Sequence, residues 1–211
     1  METKKVALVI VDISGYTQFI RSEKMSAVHA EEIIFDLLEA VIDKAAYPLT
    51  LNKLEGDAAL LYAELKDDEA AVASDVARQA QAFFDVFYER ARLLSSERAD
   101  CDCNACQRIL DLRLKAFLHC GEVVFKKIRQ FEEMAGEDVI IAHRLTKNSI
   151  PSNEYILMTE AFHQLAGDLP NMNMETRQEN YEELGTVNIN VFYPKTKNET
   201  KLELPIYAQF F

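Results

Sequence analysis

Six apolar residues in a row, Val6 to Val11, end abruptly at Asp12. A short uninterrupted apolar run fits a strand buried on both faces. From Ser26 to Ala46 the period changes. Ala30, Ile33, Ile34, Leu37, Leu38, Val41, Ile42 and Ala45 recur at spacings of three and four, the stripe of one helix face. Ser26 stands at its start as an N-cap, and Pro48 stops it. Tyr47–Leu54 then reads as a strand with Leu49, Leu51 and Lys53 on one face. Glu55-Gly56-Asp57 is a tight turn, and Ala58–Ala63 is the returning strand. Asp68–Ser95 carries the strongest helical stripe: Val72, Val76, Ala80, Phe83, Phe84, Phe87, Ala91 and Leu94. Those aromatics are expected to pack in the core.

A polar, cysteine-rich loop is expected over 96–111. Leu112–Phe125 follows as a hairpin or one long bent strand, with Leu112, Leu114, Ala116, Leu118 and Cys120 on one face and a bend at Gly121. Glu137–Thr146 is helical, Tyr155–Thr159 a strand, and Glu160–Ala166 a short helix closed by Gly167. The stretch from Gly167 to Asn180 reads as a loop, with a strand at most near its end. Two late strands are expected near Tyr181–Leu184 and Val187–Tyr193. A further helix entering after Gly15 completes the order β-α-α-β-β-α-β-α-β-α-β-β. That order predicts an α+β fold, with helices packed on one face of a largely antiparallel sheet.

The 211 residues suit a single domain, 1–211, with 96–111 as an insertion. Apolar residues make up 49% and charged residues 27%, a globular balance. The net charge of -12 disfavours nucleic acid and acidic membrane surfaces as partners. No apolar run approaches the roughly 20 residues of a membrane helix. Lys4 and Lys5 precede an apolar run, but no small-residue cleavage site follows it, so a cytoplasmic protein is expected.

Two acids fall at one rim if the first and third strands pair antiparallel. Asp12 ends the first, and Asp57 opens the third. Neighbouring carboxylates repel unless one is protonated or a cation lies between them, and their oxygens suit Mg²⁺ or Mn²⁺. Ser14, Gly15, Tyr16 and Thr17 offer main-chain N–H groups at a glycine turn, a cradle for phosphate. Together these features suggest a nucleotide site. Each acid alone also reads as a helix cap or a turn residue.

At these residues the chain resembles the catalytic domain of the class III nucleotidyl cyclases. "VIVDISGYTQF" is similar to the family's motif around its first metal acid. "NKLEGDAALLY" resembles its Lys-x-x-Gly-Asp hairpin, with Lys53 and Asp57 on the two functional positions. "LRLKAFLHCGEVVF" is similar to its Arg-x-Gly-x-His-x-Gly strand; His119 and Gly121 match, while Ala116 and Phe117 depart. In "GEDVIIAHRL", Gly136, Val139, Ala142, Arg144 and Leu145 match the following helix, and "YILMTEAFHQLAG" resembles the strand and helix after it.

The resemblance implies a ferredoxin-like βαββαβ core of cyclase type and a head-to-tail homodimer with shared active sites. It implies two metal ions on Asp12, Asp57 and the Ile13 carbonyl, and conversion of ATP to cyclic AMP and pyrophosphate. Lys53 would read the base. Glu133, three residues before Gly136, would be the second base-reading residue and favours adenine. Arg144 would stabilise charge on the phosphates. Two departures support an alternative, a catalytically degenerate module that binds a nucleotide or regulates a partner. Ile140 occupies the family's ribose-orienting Asn position, and no late phosphate-binding Lys fits the final hairpin. A third reading is a ferredoxin-like interaction domain whose acids are caps.

Cys101, Cys103 and Cys106 have ligand-like spacing for Zn²⁺, which takes four ligands. Cys120, on the strand after the loop, could complete the set; Asp100 and Asp102 are alternatives, as are free thiols. His119 lies on the opposite strand face. His29, His143 and His163 carry no expected role.

Overall fold

The computed structural model describes residues 1–16, 19 and 26–195. The expected helix after Gly15 falls largely on residues outside that set, as does Thr17. The centre of the fold is β1 (Glu2–Ser14), where Val6–Val11 are at most 2% exposed. A strand buried so completely needs partners on both edges and layers on both faces. β1 has β3 (Ala58–Glu64) on one side and β4 (Arg113–Ile128) on the other, both antiparallel. β2 (Thr50–Glu55) flanks β3. Beyond β4 lie β6 (Tyr155–Thr159), β8 (Gly185–Pro194) and β7 (Met172–Tyr181), giving the order β2-β3-β1-β4-β6-β8-β7. Only β4–β6 is parallel among the described pairs. β5 (Phe131–Ala135) folds back on the far end of β4.

The faces are covered unequally, which corrects the expectation of helices on one face. α1 (Ala27–Lys44), α2 (Glu69–Glu97) and α5 (Glu160–Ala166) pack on the face bearing Ala7, Val9, Val11 and Ile13. Among the described helices only α4 (Glu137–Leu145) packs on the other, against Val6, Leu8, Ile10 and Phe117. Period-two alternation in β4 feeds both layers. Leu112, Leu114, Ala116, Leu118 and Cys120 point to the three-helix face, as expected, and Phe117 to the α4 face. The expected Ser26 cap is present, accepting from the His29 N–H, and Asp68 caps α2 by accepting from the Ala71 N–H.

Three elements differ from expectation. β4 is the one long strand offered as an alternative over Leu112–Phe125, running Arg113–Ile128, but its hairpin partner β5 escapes a pattern reading because "FEEMA" alternates too briefly. Of the strand expected over Tyr181–Leu184 only Tyr181 is extended, as the last residue of β7, and 182–184 form the turn; the mostly exposed edge residues of β7 carry no alternation. Within 96–111 the chain forms α3 (Asn104–Gln107) and a 3₁₀ turn (Ile109–Asp111) instead of an open loop.

Candidate functional site

β1 and β3 run antiparallel with Asp12 opposite Ala58, so Asp57 reaches the rim where Asp12 emerges. The Ile13 N–H donates to the Asp57 carbonyl at 3.0 Å and pins the turn to the strand end. Both carboxylates face a cleft of about 370 Å³, whose wall includes Ser14, Gly15, Tyr16, Lys115 and Asn153. Neither acid forms an ion pair with the described residues. Burial, reinforced by the Asp57 charge and opposed by Lys115, pushes the Asp12 carboxyl up to about 6. Burial also raises Asp57, against the pull of its own backbone hydrogen bond. Gly15 adopts φ +98°, a conformation glycine takes without strain. The Ser14 hydroxyl donates to Asn153 Oδ1 at 3.2 Å, and the Tyr16 hydroxyl to Glu31 Oε1 at 2.7 Å. That second bond, aided by burial, pushes Tyr16 up to about 12.

Lys115 is a cleft residue that the sequence reading missed. It sits directly opposite Asp12 on β4, its Nζ 5.5 Å from the Tyr155 ring centroid. Burial lowers its pKa and Asp12 opposes the fall. The available signal was a lysine on the Phe117 and His119 face of an otherwise apolar strand, visible once the register with β1 is known.

Lys53, Glu133 and Arg144 lie elsewhere. A β-bulge between Leu51 and Lys53 overturns the expectation that Leu49, Leu51 and Lys53 share one face. Leu51 pairs with Leu61 and Lys53 with Leu60, so the extra residue turns Lys53 to the α4 side of the sheet. There its ammonium lies 3.2 Å from Glu55 and 3.8 Å from Glu133. His143 of α4 approaches Glu55 at 3.4 Å, and Arg144 pairs with Glu183 at 2.7 Å. Arg144 does not line its own chain's acid cleft. Ile140 is 51% exposed on the same helix. Thus Lys53 and Glu133 come together, and Asp12 and Asp57 come together, as two clusters in one chain.

The matched residues His119 and Gly121 serve a buried network. His119 bonds Thr159 Oγ1 through Nδ1 at 3.0 Å and Asp138 Oδ1 through Nε2 at 2.9 Å. The other Asp138 oxygen accepts the Glu122 N–H at 2.7 Å. A Cβ on Gly121 would run into the Asp138 carboxylate and push it off its bonds to His119 and the Glu122 N–H.

The cysteine cluster is completed from an unexpected element. His29 Nδ1 lies 3.5 Å from Cys101 Sγ, 3.4 Å from Cys103 Sγ and 3.6 Å from Cys106 Sγ. The four ligand atoms are all within 4.8 Å of one another, a group able to hold a metal ion. Cys120, one of the candidates for the fourth ligand, is instead a buried β4 residue opposite Ala7, with burial pushing its thiol up to about 11. His29 was passed over because it lies 72 residues from Cys101 and looks like any helix residue. Only the packing of α1 against the segment after α2 brings it there.

The architecture is that of adenylyl and guanylyl cyclase domains. The adenylyl cyclase CyaB from P. aeruginosa superposes with a TM-score of 0.67 at 17% identity, over 93% of this chain and 97% of that one. The guanylyl cyclase Cya2 gives 0.70 at 14% identity, over 93% and 95%. The guanylate cyclase domain of RhGC from Catenaria anguillulae, in complex with GTP, gives 0.62 at 13% identity, over 93% and 100%. At these identities the likeness shows the fold.

By sequence, the family model described as "Protein of unknown function (DUF2652)" matches residues 34–155, and the chain belongs to that family. The "Uncharacterized protein Rv2561/Rv2562" of Mycobacterium tuberculosis (strain ATCC 25618 / H37Rv) is 38% identical over 128 residues, 61% of this chain. The match spans 58% of that relative's length. Among the described residues no helix is long and apolar enough to cross a membrane.

Proposed function

We propose that this chain binds a nucleoside triphosphate together with Mg²⁺ or Mn²⁺ at the Asp12–Asp57 cleft, with ATP favoured and its conversion to cyclic AMP and pyrophosphate as the reaction. The observation that carries this reading is the convergence of two half-buried acids of raised proton affinity on one cleft, without an ion pair among the described residues. Such a pair fits a divalent cation, since the cation removes both the repulsion and the desolvation penalty. Asp12, Asp57 and the Ile13 carbonyl would hold it. When bound, the cation supplies Lewis-acid polarisation of the phosphoryl oxygens and favours the ionised 3′-hydroxyl.

The chain's own residues do the positioning. Main-chain N–H groups of the Ser14–Tyr16 turn meet the phosphates. Lys115 adds a positive charge beside Asp12, where the final hairpin offers no lysine. Lys53 and Glu133 read the base as a pair, a cation and a carboxylate suited to the acceptor and donor of adenine. Arg144 serves across a head-to-tail homodimer, since it faces away from its own cleft. The exposed apolar side chain of Ile140, on the same helix as Arg144, supports such an interface.

Calorimetry with a non-hydrolysable ATP analogue and Mg²⁺ tests the reading. Asp12→Ala is expected to weaken binding at least about tenfold; unchanged affinity would remove the metal–nucleotide site. Ile140 favours a second reading, a binding module without turnover, because isoleucine has no donor or acceptor for a ribose. Incubation with ATP and Mn²⁺, followed by chromatography for cyclic nucleotide, separates the two. Product from the wild type supports the enzyme. Product only after Ile140→Asn supports the degenerate module, since one lost positioning donor costs about two to three decades in rate.

A further inference from the structure

Three sulfurs converging on one imidazole nitrogen is not a hydrogen-bonding arrangement. His29 Nδ1 has one lone pair or one proton and can satisfy one thiol, yet Cys101, Cys103 and Cys106 stand at 3.5, 3.4 and 3.6 Å from it. A tetrahedral Zn²⁺ accounts for all three distances at once. With Zn–S of about 2.3 Å and Zn–N of about 2.0–2.1 Å, the nitrogen–sulfur edge of the tetrahedron is about 3.6 Å.

We propose that His29, Cys101, Cys103 and Cys106 form a closed, four-coordinate zinc site that fastens the first turn of α1 to the segment between α2 and β4. Four protein ligands leave no open position, the mark of a structural site instead of a catalytic one.

The surroundings have the form of an outer shell. The Cys106 N–H points at Cys103 Sγ at 3.5 Å, and the Gln107 side chain donates to the Cys101 carbonyl at 2.8 Å, which fixes the loop. Zn²⁺ with three thiolates carries one net negative charge, and an arginine lies beside it. Arg98 contacts the Cys106 sulfur and also bonds Glu32 of α1 at 3.0 Å. One guanidinium thus bridges the two segments that the metal would join. The need for a staple is visible in the loop, where the only regular pieces are four-residue α3 and a three-residue 3₁₀ turn. A disulfide would use two of the three sulfurs and leave His29 and the third without a reason to converge.

Metal analysis of the full chain, expressed with zinc supplied, decides the matter. About one equivalent of zinc per chain is expected from the wild type and from Cys120→Ser. Less than about 0.2 equivalent in the wild type overturns the site, as does loss of zinc in Cys120→Ser with retention in His29→Ala. His29→Ala is expected to weaken zinc binding by at least about tenfold. The Co²⁺-substituted wild type is expected to show sulfur-to-cobalt charge transfer and intense tetrahedral visible bands; their absence overturns the proposal. Should His29→Ala not accumulate as folded protein, His29→Cys decides, because it keeps four ligands. Its cobalt bands shift to those of a four-sulfur centre if His29 is a ligand, and an unchanged spectrum rejects it. Asp12→Asn leaves the zinc content unchanged, so this test stands or falls apart from nucleotide binding.

Discussion

The acid cleft and the cysteine–histidine cluster are two candidate metal sites built on opposite plans. Asp12 stands in the β3-β1-β4 ladder, and Asp57 in the turn before β3 that the Ile13 N–H pins to it. A rigid sheet can hold two like charges at one rim and keep the cleft ready without a ligand. The ligands of the cluster come from a helix turn and a mostly irregular loop, and their atoms already converge. There the metal would be what holds the segments in place. Losing metal should therefore relieve nothing and cost stability at the cluster, whereas losing an acid should relieve repulsion at the cleft.

The largest test of that contrast is zinc removal. A zinc-selective chelator removes a ligand that binds only the folded chain. At free zinc a thousandfold above Kd the loss is about 4 kcal/mol. For a chain of this size that lowers Tm by roughly 10 °C. Calorimetric melts with and without chelator measure it, and an unchanged Tm would make the cluster a group of free thiols. The next largest is Asp12→Asn, which acts with opposite signs on two readouts. Metal-dependent nucleotide binding should fall by about 100-fold. The metal-free protein should gain about 1–3 kcal/mol at pH 8, because a half-buried ionised carboxylate is replaced by a neutral amide. A variant destabilised at pH 8 would mean that Asp12 is held by a favourable partner and not by strain awaiting a cation.

The two sites also differed in how much of each the sequence disclosed. The cleft was legible because its residues follow local rules. An apolar run ending in an acid, and a hairpin turn carrying a second, fix Asp12 and Asp57 once the strands pair. Lys115 was hidden because its meaning depends on the register between β1 and β4. The bulge that turns Lys53 across the sheet leaves no mark in "TLNKLE". The cysteine spacing announced three members of the cluster, but the fourth, His29, depended on how α1 packs, and proximity in sequence favoured Cys120. α4 on its own face and β7 as an exposed edge were hidden for a related reason, since both depend on sheet order.

Titration sharpens the account of the cleft. Between the ordinary carboxylate value of 3.8 and about 6, the folded chain keeps a proton on Asp12 that the unfolded chain has released. Stability from this group is therefore full below 3.8 and is lost as pH rises through about 6. His119 works the other way. Burial lowers its pKa against the pull of Asp138, so stability falls as pH drops below 6.5. Denaturant melts of the wild type minus those of Asp12→Asn isolate the first effect. The difference should be near zero at about pH 3 and grow to its full size by about pH 7. Mg²⁺ affinity should rise over the same window and level off above it, since proton and metal compete for Asp12. A difference independent of pH would remove Asp12 as the group responsible.

The smallest effect probes the link between the sites. Tyr16 in the cleft wall bonds Glu31, which lies two residues after His29 on α1. Tyr16→Phe removes one exposed, charge-assisted hydrogen bond and should cost about 0.5–1 kcal/mol in stability. Its value for the comparison lies in a second measurement, nucleotide affinity with and without zinc. If zinc fixes the first turn of α1, Glu31 has one position in the loaded protein, and Tyr16→Phe should weaken binding a few-fold, the scale of one such bond. In the chelated protein Glu31 is no longer held, so the same substitution should make little difference. A dependence on zinc would make the cluster part of how the cleft wall is positioned. Equal effects in both states would make the two sites independent neighbours, sharing a helix without exchanging free energy.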